Sequence, residues 1–216
     1  MPSDRLAAEF FDSFAAAFDT IYDQKRNALM RFLDRNFRSD MFIRFARTFE
    51  AFGDLTGKSV LDIGCGSGPY VIEALRRGAH HVTAVDPAPG MLALLRNRLI
   101  ATSSVNKCSV VEGLFPGVNL TPHDHVIVVG VMDYVDAAGF LQALCPLVTR
   151  SAVLSFPSTH WFRTPFRKFR YRLRRCPVTF YEEPQIRDLC ARAGFKQVRI
   201  YKIPGAGMDY HVCVEK

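Results

Sequence analysis

Three glycines at alternating positions, Gly64, Gly66 and Gly68, close an apolar run that begins at Val60 (VLDIGCGSG, residues 60–68). Lacking Cβ atoms, such a turn lets the backbone approach a ligand closely, and in an open parallel sheet the first strand end is where ligands sit. Asp86 ends the next apolar run (HVTAVD, residues 81–86), where a carboxylate can accept hydrogen bonds from both hydroxyls of a ribose. Glycine turn and acid together point to an adenosine-containing ligand. The dinucleotide fingerprint G-x-G-x-x-G fails at its third glycine, where Pro69 stands, which disfavours NAD. A phosphate loop is disfavoured as well. Gly57, Lys58 and Ser59 would require glycine where Phe52 sits, and they precede a strand instead of following one.

These residues need a scaffold, and the hydrophobic pattern supplies one. Short apolar runs predict strands over residues 59–63, 81–86, 108–112, 125–131, 152–156, 197–203 and 210–214, and helical spacing predicts helices over 70–77, 91–100, 137–147 and 183–193. Such alternation makes an α/β, Rossmann-like sheet of seven mainly parallel strands covered on both faces. A short link through Pro204, Gly205 and Gly207 joins the last two strands as a hairpin and gives the sheet an antiparallel edge strand. Ahead of the sheet, Phe10, Phe14, Phe18, Phe42, Phe45 and Phe49 recur at helical spacing, the mark of amphipathic helices packed on a core. The expected division is a helical cap over residues 1–52 and a Rossmann-like domain over 53–216 that carries an insert at 157–181.

Residues 60–68 resemble the first motif of class I S-adenosylmethionine-dependent methyltransferases, and AVDPAPGML at 84–92 resembles the second. FDSF at 11–14 and FDTIYD at 18–23 resemble the N-terminal helices of the quinone and magnesium-protoporphyrin methyltransferase branch, which close over the cofactor. The resemblance implies S-adenosyl-L-methionine as cofactor. Asp62, Gly64, Cys65, Gly66 and Gly68 would face its methionine and ribose parts. Asp86 would hold the ribose, Pro87 and Met91 would flank the adenine, and the Glu112 loop would bring Gly113 and Leu114 near that ring. Tyr22 would reach the cofactor from the cap and Gly130 from the fourth strand end.

The segment after the fourth predicted strand overlooks the cofactor's methyl in this family, so the acceptor is read there. Gly130, Val131 and Met132 stand where enzymes that methylate base amino groups carry Asn or Asp followed by prolines, and no cysteine lies in this loop to serve carbon-5 methylation of RNA. Methyl transfer from a sulfonium is an in-line displacement in which the protein orients the partners and, for a hydroxyl acceptor, removes a proton. Asp133, Tyr134, His160 and His211 are the side chains expected to point into the site, with Asp133, Tyr134 and His160 as catalytic candidates. Asp133 equally suits the cap of the following helix, and His160 equally suits a structural loop position. His123, Asp124 and His125 lack an evident third ligand, so no metal is expected.

Lys and Arg number 28 against 21 Asp and Glu, a net charge of +7, and no acid falls between Ser151 and Tyr181. Within that stretch Trp161, Arg167, Arg170 and Tyr171 are candidate acceptor-binding residues, with Arg163, Lys168, Arg172, Arg174 and Arg175 around them. Arginine forks there would recognise an anionic small molecule, an acidic carrier protein or an anionic membrane surface. RNA ranks last, because one short basic patch without a second RNA-binding module is thin support. Residues 1–9 show no apolar signal core, and the longest uncharged run, residues 137–149, is too short to span a bilayer. The expected location is therefore the cytoplasm. The six cysteines form no C-x-x-C pair and read as small buried hydrophobes. The favoured activity is methyl transfer to oxygen of a small anionic acceptor. A methyltransferase-like enzyme that cyclises S-adenosylmethionine with release of methylthioadenosine, an RNA methyltransferase, and a cofactor-binding module without catalysis stand as alternatives.

Overall fold

The structure is a computed structural model that describes residues 39–158, 179–203 and 209–216. Helix α1 (Ser39–Phe52) is followed by β1 (Ser59–Ile63), α2 (Pro69–Arg76), β2 (His81–Asp86), α3 (Pro89–Ala101), β3 (Cys108–Glu112), β4 (His123–Val128), α4 (Ala137–Leu144), β5 (Val148–Phe156), α5 (Glu183–Ala193), β6 (Gln197–Lys202) and β7 (Tyr210–Glu215). The strands form one seven-stranded sheet in the order β3-β2-β1-β4-β5-β7-β6. The first five pair in parallel, and β7 runs antiparallel to both β5 and β6. The expected hairpin thus closes one end of the sheet, with β7 one place in and β6 outermost. The Ile203 amide donates to the Asp209 carbonyl at 2.9 Å, one step past the last strand pair, Lys202 and Tyr210.

β1, β2 and β3 begin and end where the apolar runs do; for β1 and β2 the reason is that central parallel strands are buried on both faces and read as continuous hydrophobic segments, whereas β3 is a half-exposed edge strand. Alternate residues serve two cores. Leu61, Ile63, Val126 and Val128 face Leu141 and Leu144 of α4 and Ile186 of α5. Val60, Ile127, Val153 and Cys213 face Phe49 and Phe52 of α1, Val71 of α2 and Leu95 of α3. The phenylalanine stripe of α1 is core packing in its described part: Phe45 and Phe49 meet Tyr70 at ring separations of 5.0 and 6.0 Å, while Phe42 is exposed.

Several boundaries differ from expectation, β5 most of all, since it starts at Val148 and not at residue 152; three of the others have local reasons. α3 starts at Pro89, since proline is tolerated in a first helical turn where its missing N–H has no partner to lose. α4 stops at Leu144 and continues as a 3-10 turn over Cys145–Leu147 around Pro146. β4 begins at His123 and leaves the sheet after Val128, because Gly130 turns the chain with φ 78° and sends its N–H to the Ser155 hydroxyl at 2.8 Å. Among the described cysteines, Cys65, Cys145, Cys190 and Cys213 are buried and Cys108 half-buried, all as free thiols. Burial pushes Cys108 and Cys190 up to about 12 and Cys65 well above its ordinary value, which suits inert packing and not nucleophilic chemistry.

Candidate functional site

After β1 the chain takes left-handed φ values at Gly64, Gly66 and Gly68, of 75°, 53° and 80°. The amides of Gly64 and Cys65 both donate to the Val85 carbonyl, at 2.7 and 3.1 Å, so the turn is stitched to the end of β2. The glycines serve two different needs. A Cβ on Gly64 would overlap the side chain of Val131, and one on Gly68 would overlap Leu95, so these two admit close packing. A Cβ on Gly66 would meet nothing within 4 Å. Gly66 therefore opens onto free space at the strand ends.

Asp86 stands across from that opening. One carboxylate oxygen accepts the Gly66 amide at 2.8 Å and the other accepts the Ala88 amide at 2.9 Å. Burial raises its pKa, and the two amides oppose that rise. Asp62, the penultimate residue of β1, is 2% exposed, and its Oδ2 has no hydrogen-bond partner. Burial first and the neighbouring Asp86 second push its carboxyl up to about 8. Ser67 Oγ, in the glycine turn, is also buried and unpartnered. Two carboxyls and an orphaned hydroxyl around a glycine cradle form an acceptor-rich lining, suited to a ligand that brings hydroxyls and positive charge.

The remaining expected cofactor positions fall around this cleft. The Gly113 amide donates to the Asp86 carbonyl at 3.1 Å, which brings the β3 loop and the half-buried Leu114 alongside. Pro87 is half-buried at the β2 end, and Met91 is buried against Ala88 and Leu94 beneath it. Gly130 is exposed and, like Gly66, faces open space. Tyr22 lies outside the described residues.

On the acceptor side, the loop after β4 is held from three directions. Ser155 takes the Gly130 amide, Val131 fills the space above Gly64, and the Thr179 amide donates to the Asp133 carbonyl at 3.0 Å. The cap of α4 is Asp136 and not Asp133: the Asp136 carboxylate accepts the amides of Ala138 and Gly139 at 3.3 and 3.1 Å. Asp133 is buried and Tyr134 half-buried in the loop itself. His160, Trp161, Arg167, Arg170 and Tyr171 lie outside the described residues. Both roots of the basic insert are described, however, and they meet at this loop. Ser158 bridges to Tyr181, and the Tyr181 amide donates to the Pro157 carbonyl at 2.9 Å.

His123, Asp124 and His125 occupy the opposite end of β4. His123 bonds Thr83 Oγ1 at 2.8 Å and the Thr121 carbonyl at 2.7 Å, His125 bonds Ser151 Oγ at 2.9 Å, and Asp124 accepts from Ser59. All three are structural there, and among the described residues no group of metal-ligating side chains converges. Sequence reasoning missed Ser67 and Ser155. A serine inside a glycine motif is a faint signal for the first; for the second, no local signal exists.

Residues 60–149 match a family model described as a methyltransferase domain. The segment from β1 to the start of β5 is thus similar to a methyltransferase domain. In overall fold the chain is similar to magnesium protoporphyrin IX methyltransferase from Synechocystis PCC 6803, crystallised with bound SAH, at TM-score 0.79, 19% identity and 99% coverage of both chains. It is also similar to an S-adenosylmethionine-dependent methyltransferase from Mesorhizobium loti, at TM-score 0.66 and 14% identity over 79% of this chain and 96% of that one. Among curated proteins, a tRNA U34 carboxymethyltransferase of Idiomarina loihiensis is 40% identical over 32% of this chain and 20% of its own length. A ribosomal protein L11 methyltransferase of Xanthomonas oryzae pv. oryzae is 46% identical over 23% of this chain and 16% of its own. The chain therefore spans a fifth or less of the length of these two curated relatives. No described helix is long and apolar enough to cross a membrane.

Proposed function

We propose that this enzyme binds S-adenosylmethionine at the Gly64–Gly68 turn and moves its methyl group to an oxygen of a small anionic acceptor. The observation that carries the reading is the Asp86 carboxylate, tied to the Gly66 amide across a cleft in which Gly66 faces open space and Asp62 and Ser67 keep unsatisfied oxygens. When bound, the cofactor supplies an electrophilic methyl on a sulfonium.

This chain's residues do the rest. Asp86, pre-oriented by two backbone amides, accepts hydrogen bonds from the ribose. Asp62 faces the cationic half of the ligand, where its elevated pKa falls as positive charge arrives. Gly113 and Leu114 border the adenine, with Pro87 and Met91 on the β2 side. Ser155 and Val131 fix the loop at Gly130–Tyr134, and so fix where an acceptor lies relative to the methyl. Asp133 and Tyr134 are the described groups placed to orient the acceptor or take its proton, and His160 joins them from the insert. Trp161, Arg167, Arg170 and Tyr171 recognise the acceptor's charge. Residues 1–52 act as a cap, residues 53–216 as the domain, and residues 157–181 as an insert whose roots sit at the acceptor loop.

The relatives named for tRNA and ribosomal protein act on acceptors that the short matched segment does not encode. Calorimetric titration with S-adenosylhomocysteine, followed by a screen of small carboxylic and phenolic acceptors for mass gain of a methyl group, tests the proposal. One-to-one cofactor binding and a methylated small acceptor are expected. Absence of cofactor binding, or methylation confined to RNA, overturns it.

A further inference from the structure

His211 is the one imidazole among the described residues that is fully buried and lacks a hydrogen-bond partner at both ring nitrogens. It sits on β7 opposite Ser155 of β5 and Tyr201 of β6. Directly paired residues present their side chains on one face of a sheet, and Cys213, two residues along, shares its core with Phe49 and Phe52 of α1. That face is therefore the one α1 covers. From α1, Arg44 forms an ion pair with Asp209 at 3.4 Å, and Arg47 lies 5.2 Å above the Tyr201 ring. Ser155 in turn holds the Gly130 amide that begins the acceptor loop. Among the described residues, this face thus carries two arginines, one aspartate, a serine and a tyrosine.

We infer that His211 forms the floor of an anion subsite for the methyl acceptor, its ring hydrogen-bonding a terminal carboxylate oxygen beneath α1 while Arg44 and Arg47 supply the balancing charge. The inference rests on the proposed function and specifies how the acceptor's charge is met away from the basic insert. Burial, then Arg47 and Arg44, hold the imidazole down at about 4. It is therefore neutral at pH 7, with one nitrogen a donor and the other an acceptor. Buried polar groups in folded proteins are nearly always bonded, and an orphaned one is costly until a ligand oxygen pairs with it. Because the ring is wholly enclosed, its partner is a small terminal group and not the body of a molecule.

The test uses the full chain labelled with 15N-histidine and saturated with S-adenosylhomocysteine, titrated with sodium acetate as a minimal carboxylate and with sodium chloride at matched ionic strength. Acetate is expected to shift the His211 ring nitrogens saturably and raise their titration midpoint by about one unit, equivalent to roughly tenfold tighter binding to the charged ring. Arg44→Gln is expected to weaken acetate about tenfold with cofactor affinity unchanged. Ring nitrogens that ignore acetate, or that respond equally to chloride, overturn the inference. Because the titration is made on the unaltered chain, misfolding of a variant does not blunt it. Failure of S-adenosylhomocysteine to bind the unaltered protein would instead refute the cofactor reading, which is read out separately.

Discussion

The Asp86 carboxylate accepts the Gly66 amide at 2.8 Å, joining the end of β2 to the middle of the glycine turn. The acid is thereby aimed before any ligand arrives. Asp86→Ala removes both this tie and the hydrogen bonds expected to the ribose. Hydrogen bonds to a charged partner contribute about 1.5–3 kcal/mol each, so S-adenosylhomocysteine is expected to bind at least about tenfold more weakly. Calorimetry on both proteins checks this, and unchanged affinity would displace the cofactor from the cleft.

Gly64 and Gly66 separate packing from binding. Gly66→Ala places a methyl in open space, so the fold is retained at a modest penalty for its positive φ of 53°, while cofactor affinity falls sharply. Gly64→Ala collides with Val131, and the double change with Val131→Ala recovers part of the lost stability. Denaturant midpoints and cofactor titrations on the three variants provide the comparison.

Asp62 gives the cofactor-free protein a pH signature. An unfolded aspartate loses its proton near the ordinary value of 3.8, whereas the folded one retains it to about 8. Between those values the native state binds more protons than the unfolded state, so this group's contribution makes stability fall as pH rises through the interval. Asp62→Asn flattens that slope. Binding of a cationic cofactor at pH 7 is expected to release a proton from Asp62, seen as a buffer-dependent enthalpy in the parent protein and not in Asp62→Asn.

The two aspartates after β4 are distinguished by stability. Asp136 caps α4 through two amides, so Asp136→Ala is expected to cost about 1 kcal/mol. The Asp133 tie to Thr179 runs through its backbone carbonyl, and Asp133→Asn leaves it in place. Urea unfolding of Asp136→Ala tests the cap, and an unchanged midpoint would contradict it.

What could be read from the sequence follows from how local each determinant is. β1 and β2 were legible to the residue because burial on both faces writes a nearly continuous apolar run, whereas β3, a half-exposed edge strand, was legible without such burial. The glycine turn and Asp86 were legible because ligand approach demands those residue types at strand ends. The end of β4 was not, since it depends on Ser155, a residue of the neighbouring strand, capturing the Gly130 amide. The α4 cap was readable at Asp136, the residue immediately before the helix expected from 137, and reading it at Asp133 placed it three residues early. His211 was expected to face the site, but its lack of partners is a property of the packing of α1 over β7. The expected residues of the cap and insert, Tyr22 and His160 to Tyr171, fall outside the described structure and rest on the resemblance and on charge.

Incubation of the purified full chain with S-adenosylmethionine, alone and with a small-molecule extract, bears most directly on methyl donation, with adenosylhomocysteine and methylthioadenosine quantified by mass spectrometry. The account predicts intact cofactor without the extract and adenosylhomocysteine once acceptors are present. Methylthioadenosine above the enzyme-free control would contradict it, because the cofactor would then be the substrate itself.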